Sequence, residues 1–398
     1  MHAQRIIQRL LTQDCPQIHA KRRACVARVV QAAVRGGLGM VRMAKHLISP
    51  TALRHRIKCC DRLLSNAHLV EERVSMYRAM ARRVLRNTRH VQIVVDWSPV
   101  RADGSAQLIR AAAVIEGRAQ TLYEEVHPEK KLTSPSVHKS FMKTLQTVLP
   151  PQCQAVIVTD AGFRATWFKL LNELGFAWIG RIRNLDKVCR QGTSTWIGCK
   201  TLYQKAQATA RDLGAFLYAR TNATPCRLVL YKAQSKGRRC LTKSGVPARC
   251  RRSKKNSASQ SEPWLLAVSP ELARLHAEDI VKIYAGRMQI EQTFRDLKNA
   301  HWGMGLSNSQ TKGLVRLAAL LLIGALLTYA LWLIGLAARN AGYQVRYGSR
   351  DKANSALSIM SLATHWFTDD HRPRLTSKNF ASALTELTSM VRSWENEG

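Results

Sequence analysis

Val91-Gln92-Ile93-Val94-Val95-Asp96 and, further along, Ala155-Val156-Ile157-Val158-Thr159-Asp160 are two short apolar runs, each ending in an aspartate. Both read as buried β-strands. Between them lie two more strand candidates, Gln107 to Glu116 and Gln120 to His127. Asp103-Gly104 and Gly117 supply turn signals, so these strands with the first predict an antiparallel meander. Ser134 to Leu149 reads as a helix. After Asp160 come Gly162, a helix over Trp167 to Leu174, and a strand over Phe176 to Ile182. Strands followed by alternating helix and strand predict an α/β fold, a sheet with helices on its faces.

Upstream, residues to about 85 read as helical, with Leu47, Ile48, Leu53, Ile57, Leu63 and Leu64 at helical spacing. Ser49-Pro50 has the form of a helix start. Arg54-His55-Arg56-Ile57-Lys58 gathers cations on a short helix, which suits phosphate contact or a solvated face. Glu71, Glu72 and Arg73 lead a further helix to about Arg86. Downstream, the pattern loosens between about 187 and 260, with Leu228 to Tyr231 a strand. Lys232 to Lys255 is dominated by Lys, Arg, Ser and Gly, including Arg238, Arg239, Arg251 and Arg252. That composition fits a loop and equally a phosphate-binding arm. Order resumes with a strand at Trp264 to Val268 and a long helix from about His276 to Lys298.

Leu317 to Ala338 has no charged residue and is long enough to cross a membrane. It follows a highly polar helix and stands alone, which favours a helix buried on all sides of a large core. The boundaries that follow are 1–88, 89–186, 187–262, 263–312 and 313–398.

The totals speak to partners. The 398 residues carry 62 basic and 26 acidic side chains, a net charge of +36. Such an excess attracts a polyanion, with DNA or RNA first and an anionic membrane surface second. At 46 % hydrophobic residues the chain has enough apolar material to fold. Its ten cysteines show no C-x-x-C or Cys/His zinc spacing, and the N-terminus lacks a signal-peptide core, so free thiols in a reducing cytosol are expected.

Acidic residues being scarce, their placement matters. Asp96 and Asp160 sit at strand C-termini, where α/β proteins place reactive groups, although a loop-start Asp is also common. On the long helix, Tyr284, Arg287, Glu291 and Lys298 fall within an arc of about 60° at roughly 100° per residue. A surface stripe with ordinary i,i+4 pairing accounts for Arg287 and Glu291 alone. Two-metal phosphoryl chemistry needs the whole set. Two Mg²⁺ ions, for which Mn²⁺ can substitute, activate water or a 3′-OH and stabilise the leaving oxygen. Hard cations take carboxylate oxygens, so Asp96 would bridge them, with Asp160 and Glu291 completing the shells. Arg287 and Lys298 would hold phosphates, and Tyr284 would bond a phosphate or position a ligand.

Three stretches carry a resemblance: Val95-Asp96-Trp97-Ser98; Val158-Thr159-Asp160-Ala161-Gly162-Phe163; and Tyr284-x-x-Arg287-x-x-x-Glu291-x-x-x-x-x-x-Lys298. The chain resembles a DDE transposase of a bacterial insertion sequence. It is similar to the family of insertion sequence four, and within it to the group of insertion sequence ten. The resemblance spans about residues 5 to 345. It implies an RNase H-like catalytic core with a mostly β insertion, a helical N-terminal DNA-binding region and a helical C-terminal region. It also implies cut-and-paste movement: binding of terminal inverted repeats, nicking, hairpin formation and reopening, and joining of 3′ ends to target DNA. Double-stranded DNA is then the partner, a dimer forms on synapsed ends, no membrane is involved, and the location is cytoplasmic and nucleoid-associated. Trp264 lies where relatives stack a flipped base, or is a core residue of its strand. Trp97, beside a carboxylate, would serve to pack it. A nuclease of the same core without strand transfer, a non-catalytic DNA-binding relative and a membrane protein are the alternatives.

Overall fold

A computed structural model describes residues 2–183, 186–233, 246–247, 250, 262–301, 303–348 and 357–394. They form two compact units, one from Met1–Gln154 with Met288–Asn396 and one centred on Ala155–Arg287.

The first unit opens with helices α1 (His2–Asp14), α2 (Ala20–Gly36), α3 (Met40–His46), α4 (Leu53–Leu64) and α5 (Ala67–Val84). The meander follows as β1 (His90–Pro99), β2 (Ala106–Ile115) and β3 (Arg118–Pro128), antiparallel in the order β3-β2-β1, with α6 (Pro135–Val148) after it. In the register, Asp96 faces Arg110 and Arg110 faces Glu124, with an irregularity at Ala111/Ala112. Ser49 does not start a helix. Its hydroxyl bonds Thr51 Oγ1 at 2.9 Å, and α4 begins at Leu53 after Ala52. A hydroxyl that closes a local turn competes with the helix it was expected to cap.

The second unit holds β4 (Gln154–Thr159), α7 (Ala165–Glu173) and β5 (Ala177–Ile182), a parallel βαβ unit. Then come β6 (Lys187–Arg190), β7 (Trp196–Gly198), α8 (Cys199–Leu202), β8 (Arg211–Tyr218), β9 (Thr224–Tyr231), β10 (Trp264–Val268) and α9 (Ala277–Ala285). The strand order is β4-β5-β10-β9-β8-β6-β7. The described strands between 187 and 262 continue the sheet through β10. Phe168 stacks on Trp178 at 4.3 Å and fills the space that Gly180 leaves open. Arg238, Arg239, Arg251 and Arg252 lie outside the described residues.

The long helix expected from His276 to Lys298 is interrupted. It runs as α9 and, back in the first unit, α10 (Met288–Lys298). Glycine is a weak helix former, and at Gly286 the amide is shared between Lys282 O at 3.3 Å and Ile283 O at 3.1 Å, so the last turn tightens. Tyr284, Arg287, Glu291 and Lys298 therefore do not all lie on one continuous helix. Glu291 and Lys298, seven apart on α10, do share one face.

Helix α11 (Leu314–Asn340) is the core of the first unit. It touches α1, α2, α4, α5, β3, α13 (Ile359–Thr368) and α14 (Ser377–Ser389). Its most apolar stretch is 94 % buried, so protein covers the faces that lipid would need. Charges mark its ends, with Arg316 on Asp61 at 2.6 Å and Arg339 on Glu386. At Gly335 a methyl group would run into the Ile359 carbonyl. Gly335→Ala should therefore cost about 1–3 kcal/mol through forced separation of α11 and α13, read by urea unfolding. An unchanged midpoint would contradict that close approach.

The short α12 (Gln344–Tyr347) precedes these last helices, and the chain then returns to the sheet. Beyond the last β1–β2 pair, Arg392 O accepts from Gln92 N at 3.1 Å and Arg392 N donates to Val114 O at 2.9 Å. Trp394 Nε1 donates to Gln154 O at 2.9 Å. The C-terminal residues thus strap the start of the strand that carries Asp96.

Candidate active site

In the first unit, Asp96 is half-buried near the end of β1. Its Oδ1 accepts from the Trp97 backbone N–H at 2.8 Å. Alternation along a strand puts Asp96 and Ser98 on one face and Trp97 on the other. On the Asp96 face lies α10. Lys298 Nζ donates to Ser98 Oγ at 2.6 Å, and Arg110 stands 5.1 Å over the Phe294 ring. Glu291, in the first turn of α10, is exposed. Burial lowers the Lys298 pKa, the Arg110 cation lowers it further, and Asp96 pulls the other way.

The docking of α10 has its own fixings. Thr293 Oγ1 accepts from Ala119 N at 3.2 Å and donates to Ala119 O at 3.1 Å, standing in for a strand partner at the edge of β3. Arg118 pairs with Asp296 at 2.6 Å. Thr293→Val keeps the shape and leaves the Ala119 amide without that acceptor, so it should cost about 1–3 kcal/mol in chemical denaturation. A loss within error would show that water replaces the hydroxyl.

Below β1, Trp97 Nε1 donates to His138 Nε2 at 3.1 Å. Burial pushes His138 down to about 4 from an ordinary 6.5, and His127 nearby adds to the effect. The unfolded chain takes up this proton near 6.5, and the folded chain only near 4. Stability from this residue is therefore complete above 6.5 and falls through that window, by about 3 kcal/mol in all. On acidification from neutral pH to about 4, the unfolding free energy should fall by that much more for the wild type than for His138→Gln. Parallel pH profiles would contradict it.

In the second unit, Asp160 follows β4 half-buried, and its Oδ1 accepts from Gly162 N at 2.8 Å. Tyr284 is 4 % exposed and meets Trp264 edge-on at 4.9 Å, and the Tyr231 ring lies 5.7 Å from that of Trp264. Burial raises the Tyr284 pKa, against the pull of Arg287 and Arg181, with Asp160 adding to the rise. Glu262 pairs with Arg183 at 2.9 Å and Arg181 at 3.6 Å. Trp264 is half-buried, its ring flanked by aromatics and not sealed in the core.

Sequence reasoning missed His138, Ser98 as the partner of Lys298, and the Arg181–Arg183–Glu262 group. Period-two alternation through Asp96-Trp97-Ser98 carried the signal for Ser98. The others depend on which elements pack together.

Asp96 and Asp160 each hold one oxygen on a backbone N–H, and with Glu291 they offer hard oxygen donors of the kind Mg²⁺ takes. Among the described residues, no three His, Cys, Asp or Glu side chains are gathered as a metal-binding group. The fit therefore lies in the chemistry of the donors.

Residues 87–328, more than half of the chain, match the family described as Transposase DDE domain. The chain belongs to the DDE transposase family. It is an enzyme of DNA transposition and recombination that acts on DNA, and enzymes of this kind use divalent metal ions. Its mixed α/β architecture with helical terminal regions agrees with the RNase H-like core of that family. The matched span takes in β1 through most of α11, and so Asp96, Asp160 and the whole of α10. No curated protein matches the chain.

Proposed function

We propose that this transposase moves an insertion sequence of the family of insertion sequence four by a cut-and-paste route, and within that family belongs with the group of insertion sequence ten. The observation that carries the reading is the bond from Lys298 on α10 to Ser98, two residues beyond Asp96. It ties the helix that bears Glu291 to the strand that bears Asp96.

In this reading Asp96, Asp160 and Glu291 hold the divalent ions, Mg²⁺ or in its place Mn²⁺. Bound there, the ions supply a lowered pKa for the attacking water or 3′-OH and charge neutralisation at the phosphorus. The chain's own residues do the rest. Lys298, held by Ser98, presents a point charge beside the scissile phosphate, and Arg287 a two-pronged one. Tyr284 braces Trp264, whose ring receives the base turned out of the stack when a hairpin forms. The net charge of +36 supplies attraction for terminal inverted repeats and target DNA, including the basic segment with Arg238, Arg239, Arg251 and Arg252. Two copies act on synapsed ends. The domain limits are those at residues 88, 186, 262 and 312, and the enzyme works on the nucleoid in the cytoplasm.

The test is a labelled duplex carrying the element's own terminal repeat, incubated with protein and Mg²⁺ and resolved on a denaturing gel. Nicked and hairpin products, followed by joining to a target plasmid, are expected. Cutting without hairpins or joined ends would reduce the protein to a nuclease.

A further inference from the structure

We infer that Trp97 and His138 are positioning residues that set the Asp96 carboxylate for its metal ion; the inference rests on the reading of Asp96 given above. The indole points away from Asp96, to the opposite face of β1, and its Nε1 donates to His138 Nε2 at 3.1 Å. His138 sits on α6, 5 % exposed. Its ring is 5.9 Å from that of Trp97, and His127 approaches the same indole at 6.0 Å. His127 is itself held, bonded to Glu125 at 2.8 Å, which also accepts from Tyr123 at 2.6 Å.

Packing alone needs only an aromatic ring at position 97. The part-buried N–H bond adds an orientation, because it is satisfied at one rotation of the ring. That orientation is passed on locally. The Trp97 backbone N–H donates to Asp96 Oδ1 at 2.8 Å, so the side chain that fixes Trp97 also fixes the donor that holds the carboxylate. On the other face Lys298 holds Ser98 at 2.6 Å. Trp97 and Ser98, the two residues that follow Asp96, are thus pinned on opposite faces of β1. Partners that orient a metal ligand without touching the metal typically contribute about 10–100-fold in metal affinity.

Mn²⁺ binding to the full-length protein, followed by isothermal titration calorimetry, tests this with Asp96→Ala alongside. Trp97→Phe keeps a six-membered aromatic ring and removes the N–H together with the five-membered ring of the indole. It should weaken Mn²⁺ by about tenfold or more, as should His138→Leu. His138→Gln, which keeps an acceptor, should stay within about threefold of wild type. If Trp97→Phe and His138→Gln both bind Mn²⁺ as the wild type does while Asp96→Ala does not, the inference fails and the reading of Asp96 stands. If Asp96→Ala also binds as the wild type does, that reading fails and takes the inference with it. His138→Leu counts only if its thermal unfolding remains cooperative, and Trp97→Phe decides without it.

Discussion

Glu291→Ala is expected to bind the element's terminal repeat as the wild type does and to lose cutting by roughly three orders of magnitude. The side chain is exposed on α10, and alanine is the better helix former, so the fold should be unmoved within about 0.5 kcal/mol. Thr293 on Ala119, Arg118 on Asp296 and Lys298 on Ser98 fix the helix and are untouched by the change. What is lost is one oxygen-donor residue from the proposed metal site. At about 1.4 kcal/mol per tenfold, a loss of about 4 kcal/mol of transition-state stabilisation gives the stated factor. Gel-shift titration measures the binding and a denaturing gel the cutting. A variant that cuts at a tenth of the wild-type rate would remove Glu291 from the chemistry.

The second large effect is on stability. Arg110 and Glu124 pair at 2.6 Å with side chains 2 % and 1 % exposed. Tyr77 donates to the other oxygen of Glu124 at 2.9 Å, and burial with Glu124 alongside holds the Tyr77 pKa well above its usual value. Arg110→Met leaves a buried carboxylate without its cation and should cost about 3–5 kcal/mol in urea unfolding. Replacing both, Arg110→Met with Glu124→Leu, should recover part of that, because an apolar pair carries no desolvation penalty while the buried Tyr77 hydroxyl loses its acceptor. The single change should also raise the Lys298 pKa, since Arg110 now depresses it. A single variant within about 1 kcal/mol of wild type would show that water reaches the pair.

Much of this was legible in the residues. The strand β10 begins and ends where the apolar run Trp264 to Val268 does, and α6 agrees with its expectation to within a residue at each end. The burial of α11 followed from an uncharged run that stands alone in a polar chain. The reach of the α9–α10 helix did not follow, because one glycine outweighs periodicity only when the turn tightens, and apolar spacing says nothing about that. The Arg110–Glu124 pair was hidden for another reason. It needs the β2–β3 register, which shifts at Ala111/Ala112. The bonds of Arg392 to Gln92 and Val114, and of Trp394 to Gln154, lie in a segment with no period at all. Of the site, the carboxylates and Lys298 were readable as residue types at strand ends and helical spacing. His138 was not, because its role exists only once α6 covers Trp97.

The central claim, that Asp96, Asp160 and Glu291 hold the metal that cuts DNA, is tested most directly by affinity cleavage of the protein itself. Fe²⁺ loaded in place of Mg²⁺ and treated with ascorbate and peroxide generates radicals that cut the polypeptide beside the bound ion. Mass spectrometry should find breaks near residues 96, 160 and 291, suppressed by excess Mg²⁺ and absent in Asp96→Ala. Breaks elsewhere, or the same breaks in Asp96→Ala, would contradict the claim.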